Sequence, residues 1–155
     1  MAIRKIVTKE DELIRKVCRP VDKFDERLWT LLDDMAETMY AESGYGLAAP
    51  QVGKIRRLAV IDVGEGLIEL INPVITDTSE ETQRDPEGCL SCPGEYGYVI
   101  RPMSCKVKAQ DRNGNWFEKE LSGLFCRCCC HECDHLDGRL FLDIADEMID
   151  LADEE

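Results

Sequence analysis

The sequence predicts an α+β fold, with antiparallel or mixed sheets around a central helix, and three observations carry that reading. An amphipathic helical stripe lies early, strand-like apolar runs fill the middle, and a second helix follows them. Helix, strands, helix is a segregated order, unlike the strict alternation that builds a parallel sheet.

The first helix is read between Asp25 and Glu42, where Leu28, Leu31, Leu32, Met35 and Met39 recur at spacings of three and four among acidic residues. Gly44 and Gly46 punctuate its end. From Arg57 the chain becomes strand-like, at Leu58 to Ile61, Leu67 to Ile71, Tyr98 to Ile100, Cys105 to Ala109 and Trp116 to Leu121. Asn113-Gly114 between the last two predicts a tight hairpin, because both residue types tolerate the positive φ that such a turn needs. The second helix is expected from about Gly123 to His135, stopping near Gly138. The acidic segment 143–155 reads as a short amphipathic helix or a frayed tail.

A length of 155 residues suits one domain, expected over residues 1–155. With 44% hydrophobic and 33% charged residues the chain has the make-up of a soluble globular protein. No apolar run approaches the ~20 residues that span a bilayer, and the opening Met1-Ala2-Ile3-Arg4-Lys5 leads into no signal-peptide core. A cytoplasmic protein without membrane contact is the expectation. A net charge of -13 sets the protein's field against phosphate backbones, which argues against direct DNA binding. Nine cysteines, an odd number with five of them between Cys126 and Cys133, fit reduced thiols better than a disulfide framework.

Chemistry concentrates in His131-Glu132-Cys133-Asp134-His135, an H-E-x-x-H segment on the second helix. Positions i and i+4 stack on one helix face, so both imidazoles can reach one metal ion while Glu132 stands beside it to take a proton from an activated water. Taken alone, the segment could equally be a pair of satisfied helix histidines; that these are the chain's only two histidines favours the metal. A catalytic site normally takes three protein ligands and leaves a position open. The third could be an acid downstream (Asp137, Asp143, Asp146 or Glu147) or Cys89 within Glu87-Gly88-Cys89-Leu90-Ser91.

Three segments in order, Gly46-Leu-Ala-Ala-Pro-Gln-Val-Gly53, Glu87-Gly-Cys-Leu-Ser91 and His131-Glu-Cys-Asp-His135 followed by Leu136-Asp137-Gly138, resemble the three motifs of the peptide deformylase family. The similarity covers nearly the whole chain, and Ser91 with Pro93-Gly94 resembles the bacterial and organellar type. The resemblance implies a hydrolase that removes the formyl group from the N-terminal methionine of nascent polypeptides. It implies Cys89, His131 and His135 as ligands of one divalent metal, Fe(II) in the cell with Zn, Ni or Co as substitutes. It further implies Glu132 as general base and acid, the Gln51 amide and Leu90 N–H as donors to the formyl oxygen, and Gly46 as a backbone partner of the substrate. Glu87 and Arg101 match a charged pair bracing the middle motif. Tyr45, Leu90 and Cys128 are expected walls of an apolar pocket for the methionine side chain. Some family members are thought to dock at the ribosome through a C-terminal extension. Here seven carboxylates and no basic residue follow Phe141, so the expectation is at most a transient ribosome contact without this tail as an RNA anchor.

Two other functions use the same residues. A zinc endopeptidase would take an acidic third ligand after His135, and a non-enzymatic thiolate metal-binding module would use the clustered cysteines; neither accounts for Gly46 to Gly53. The chain also departs from the family at Cys126-Arg127-Cys128-Cys129-Cys130, where Cys130 replaces the usual Gln before the first histidine. These small apolar thiols either fill tight space around the helix or form a second metal or redox site on the Cys126, Cys130 and Cys133 face, with Cys105 or Cys18 as a further ligand.

Overall fold

Two α-helices and eight strands organise residues 2–150, the part of the chain that the computed structural model describes. Helix α1 (Glu26–Ala41) starts where the Asp25 side chain accepts a hydrogen bond from the Leu28 N–H, satisfying one of the free donors of its first turn. Its stripe of Leu28, Leu31, Leu32, Met35 and Met39 is buried against Leu47, Leu58 and Val60. The fold is α+β, as expected, and the sheets are antiparallel rather than mixed.

One sheet has five strands in the order β1 (Gly46–Ala48), β2 (Leu58–Ile61), β3 (Ile68–Thr76), β6 (Ser104–Gln110) and β7 (Trp116–Ser122). The other joins β4 (Thr82–Cys89), β5 (Cys92–Pro102) and β8 (Glu147–Met148). The β6–β7 hairpin turns where expected: Gly114 has φ of 86°, and the Asp111 side chain accepts from the N–H groups of Asn113 and Asn115. Helix α2 (Gly123–Leu136) packs on strands of both sheets, with Phe125, Cys126 and Cys130 set among Val107, Ala109 and Leu121.

The acidic segment is neither helix nor loose tail over residues 143–150. Asp143 pairs with Arg15, Asp146 and Glu147 pair with Arg84, and β8 adds to the edge of β5 through Gly97 and Tyr98. Residues 151–155, the rest of that segment, lie outside the described residues. No helix among the described residues is long and apolar enough to cross a membrane.

An extended N-terminal segment laces these parts together. Ala2 N–H donates to Asp34 on α1, Val7 N–H to the Gln51 carbonyl, Lys9 N–H to the Ser91 carbonyl and Cys18 N–H to the Leu136 carbonyl at the end of α2. Where the segment crosses α2's exit, Gly138 has φ of 76°, and a Cβ there would strike the Arg15 carbonyl oxygen.

Candidate metal centre

Each of the three motifs is delivered by a different element. Helix α2 presents His131 and His135 one turn apart, with ring centroids 5.0 Å from each other. Hairpin β4–β5 turns tightly at Leu90-Ser91 and sets the Cys89 Sγ 3.2 Å from His135 Nε2. One ligand atom each from Cys89, His131 and His135 lies within 4.8 Å of the others. The acids considered as an alternative third ligand are engaged elsewhere, Asp137 with Arg57 and Asp143, Asp146 and Glu147 as described above. Of the candidates for a third donor, Cys89 is the one found together with both histidines among the described residues.

His131 is aimed from behind. Its Nδ1 is 2.8 Å from Glu87 Oε1, which leaves Nε2 toward Cys89 and His135. Glu87 is held by Arg101 through two bonds of 2.9 Å and also pairs with Arg127, while Arg101 reaches Asp134 at 2.6 Å. Burial alone would raise the Glu87 carboxyl, but the hydrogen bonds from Arg101 and His131, with their charges, hold it at about 2. Burial, aided by the charges of His131 and Arg101, keeps His135 well below its ordinary value, so the imidazole is neutral and fit to be a ligand.

Glu132 is buried, and the burial pushes its carboxyl up to about 7 against the opposing charge of His131. Its Oε1 finds no hydrogen-bond partner in the protein. Gly46 makes this placement possible, since a Cβ there would lie 2.5 Å from Glu132 Oε2. Gln51, 1% exposed, is oriented by its own loop: Oε1 accepts the Ala48 N–H at 2.9 Å, which turns Nε2 toward Ser91 Oγ at 3.2 Å and Cys89 Sγ at 3.5 Å.

A cleft of about 570 Å³ opens over these groups. Tyr45, Gly46, Leu90 and Cys128 line it, together with Gln51 and Glu132. Sequence reasoning missed Tyr96 and Leu124 on its walls, and Ser91 and Arg127 behind it. Arg127 left a usable signal: a charged residue within a run of thiols on a buried helix needs an acidic partner. Of the face proposed for a second thiolate site, Cys126 and Cys130 come together with Cys105. Cys133 instead shares a thiol hydrogen bond with Cys129, and Cys18 packs with Ala48, Ala59 and Leu136 in another cluster.

Two imidazoles from an H-E-x-x-H helix and a cysteine thiol could together hold a metal ion, and a buried carboxyl stands beside them facing a cleft, an arrangement that suits the class of metal-dependent hydrolases. The family model for polypeptide deformylase matches residues 3–149. The peptide deformylase of Caldicellulosiruptor bescii is 58% identical over 143 residues, 92% of this chain and 86% of the relative. That of Acetivibrio thermocellus is 55% identical over 150 residues, 97% of this chain and 88% of the relative. The crystal structure of peptide deformylase from Thermotoga maritima superposes with a TM-score of 0.92 at 42% identity, covering 94% of this chain and 99% of that one. One from Ehrlichia chaffeensis in complex with actinonin gives 0.91 at 40% identity, covering 94% and 90%. The chain belongs to the polypeptide deformylase family. It is a metal-dependent hydrolase that removes the N-formyl group from nascent peptides.

Proposed function

We propose that Cys89, His131 and His135 hold the catalytic metal, that Glu132 moves the protons, and that Gln51 and Leu90 stabilise the oxygen of the formyl group. The convergence of three ligand atoms within 4.8 Å beside a buried carboxyl supports this most directly. The donor set fits the group. One thiolate and two imidazoles suit a borderline divalent ion, and Glu132 Oε1, buried without a protein partner, has the position of an atom that works on a water or substrate. Fe(II) is the proposed ion in the cell, with Zn, Ni or Co able to replace it. Bound there, the ion supplies Lewis acidity toward water and the formyl oxygen.

The chain's own residues do the rest. Glu132 accepts a proton from the attacking water and returns it to the departing amine nitrogen, a shuttle for which a carboxyl raised toward neutrality is matched. The Gln51 Nε2 group, immobilised by Ala48, donates to the formyl oxygen as its charge grows; Leu90 N–H at the hairpin turn donates from the other side. β1 and β4 are edge strands of the two sheets and both border the cleft. An extended peptide pairing with the backbone at Gly46 would be read without regard to its later side chains, while the methionine side chain enters between Tyr45, Leu90 and Cys128. The enzyme acts in this reading as one domain in the cytoplasm, meeting the ribosome only transiently.

Formate release from a formyl-methionyl tripeptide, by protein purified anaerobically with Fe(II) or Ni(II), tests this function. Turnover of the formylated peptide and none of its unformylated counterpart is expected. Cleavage of the unformylated peptide, or no formate from the metal-loaded protein, would overturn it.

A further inference from the structure

Helix α2 carries a second convergent donor set, on the side turned to the five-stranded sheet. Cys126 and Cys130 stand one helical turn apart and meet Cys105 of β6, with the three Sγ atoms within 4.8 Å of one another. Cys105 and Cys126 are 3.1 Å apart, and the residues are 4%, 0% and 7% exposed in chain order. All three are free thiols. The arrangement repeats the plan of the catalytic centre: two α2 residues at i and i+4, and a cysteine from a strand facing them.

Packing alone does not call for this. Cysteine is a good filler of tight apolar space, but a filler needs only to be small, and nothing in packing draws three sulfurs to one point. A metal does. Thiolates at a metal–sulfur distance of ~2.3 Å in tetrahedral array lie ~3.8 Å from each other, and the three sulfurs already stand within 4.8 Å of one another.

We propose that Cys105, Cys126 and Cys130 form a second metal site, which binds one soft d10 ion, Cu(I) or Zn(II), through three thiolates. The group contains no carboxylate or imidazole, so hard oxygen-seeking ions find nothing there. Val107, Leu121 and Phe125 pack in the same cluster, and the Pro102 carbonyl oxygen lies 3.4 Å from Cys126 Sγ. Three thiolates satisfy Cu(I), whereas Zn(II) takes four donors, so Cu(I) binds more tightly in this setting. Each thiol that becomes a ligand releases one proton, three for each ion bound. An ion held there would pin α2 to β6 directly before His131.

The test starts from protein whose catalytic centre is filled with Ni(II). It is titrated anaerobically with Cu(I) in one arm and Zn(II) in the other, then desalted and analysed for both metals, with melting followed in parallel. One equivalent of added ion with nickel retained is expected, with a rise in melting temperature in the wild-type protein. The added equivalent is expected to be lost in Cys105→Ala and Cys126→Ala and kept in Cys18→Ala, whose thiol lies in a different cluster. Should either alanine variant fail to fold, X-ray absorption of the copper-loaded wild-type protein decides the matter by counting three sulfur neighbours and no nitrogen. No retained second equivalent in either arm, one that survives both substitutions, nitrogen among the neighbours, or copper uptake matched by nickel loss would each overturn the proposal.

Discussion

The two helices bury themselves by opposite means. α1 turns one apolar stripe to the core, and the one charge it buries, Asp34, is answered by Arg4, so most of its burial is plain transfer of apolar surface out of water. In α2, eleven of fourteen residues are buried, among them Arg127, His131 and Glu132, whose desolvation is unfavourable unless each finds a partner. The difference shows where the two kinds of stabilisation come from. α1 is secured by transfer of leucine and methionine out of water, and α2 by a lattice of charges in which Glu87 answers Arg101, Arg127 and His131 together. The lattice leaves Glu132 in a dry place where a carboxyl is raised, which an apolar stripe could not have done while keeping two ligands in register.

Four substitutions sharpen or break this contrast. The largest effect is expected at Glu132. Glu132→Gln keeps the shape and loses the proton shuttle, so turnover falls by at least ~10²-fold with metal content unchanged. Steady-state formate release with metal analysis checks it, and wild-type turnover would remove Glu132 from the chemistry. Gln51→Ala comes next, with kcat lower by ~10²-fold and metal retained. Because the buried Ala48 N–H loses its acceptor, this variant is also expected to lose about 1–3 kcal/mol in a denaturant titration. A change in KM alone would instead mark Gln51 as a group that positions the peptide.

Glu87→Gln probes the charge lattice. Metal affinity is expected to drop about 10–100-fold, since His131 loses the carboxylate that fixes its ring. The pH dependence of stability supplies a second reading. Glu87 sits at about 2 in the fold and near 4.5 when free, so its contribution is complete above 4.5 and disappears as pH falls through about 2. Acid titration of the Gln variant should lack that portion of the wild-type loss. The smallest effect on chemistry is expected in α1. Leu32→Ala removes a fully buried side chain and should cost about 2–5 kcal/mol in denaturant unfolding, with kcat per folded molecule unchanged. A fall in kcat would mean that the two helices are coupled more tightly than their contacts suggest.

The same contrast explains how much could be read beforehand. α1 was legible because its stripe obeys one period and one solvent boundary. Strand β4 was not, since Thr82-Gln-Arg-Asp-Pro-Glu-Gly-Cys89 has neither alternation nor a run of apolar residues; it is held by β5 and by what its carboxylates and thiol do. The meeting of Cys89, His131, His135 and Gln51 was legible from motifs, which record residues that work together whatever their separation in the chain. Arg127 and Ser91 were passed over because their roles depend on neighbours distant in the chain, Glu87 for one and Gln51 for the other. The acidic segment was misread for a related reason: a carboxylate run suggests solvation until the arginines opposite it, Arg15 and Arg84, are in place.

The N-terminal lacing bears on the order in which the molecule is made. Its partners at Asp34, Gln51, Ser91 and Leu136 are synthesised progressively later than the segment itself, and Cys89 is made well before the His131 and His135 it meets. Contacts so distant in sequence form late, after the chain entropy of closing long loops has been overcome. An emerging copy therefore exposes the lacing segment, residues 2–18, well before the elements that segment ties together have been made.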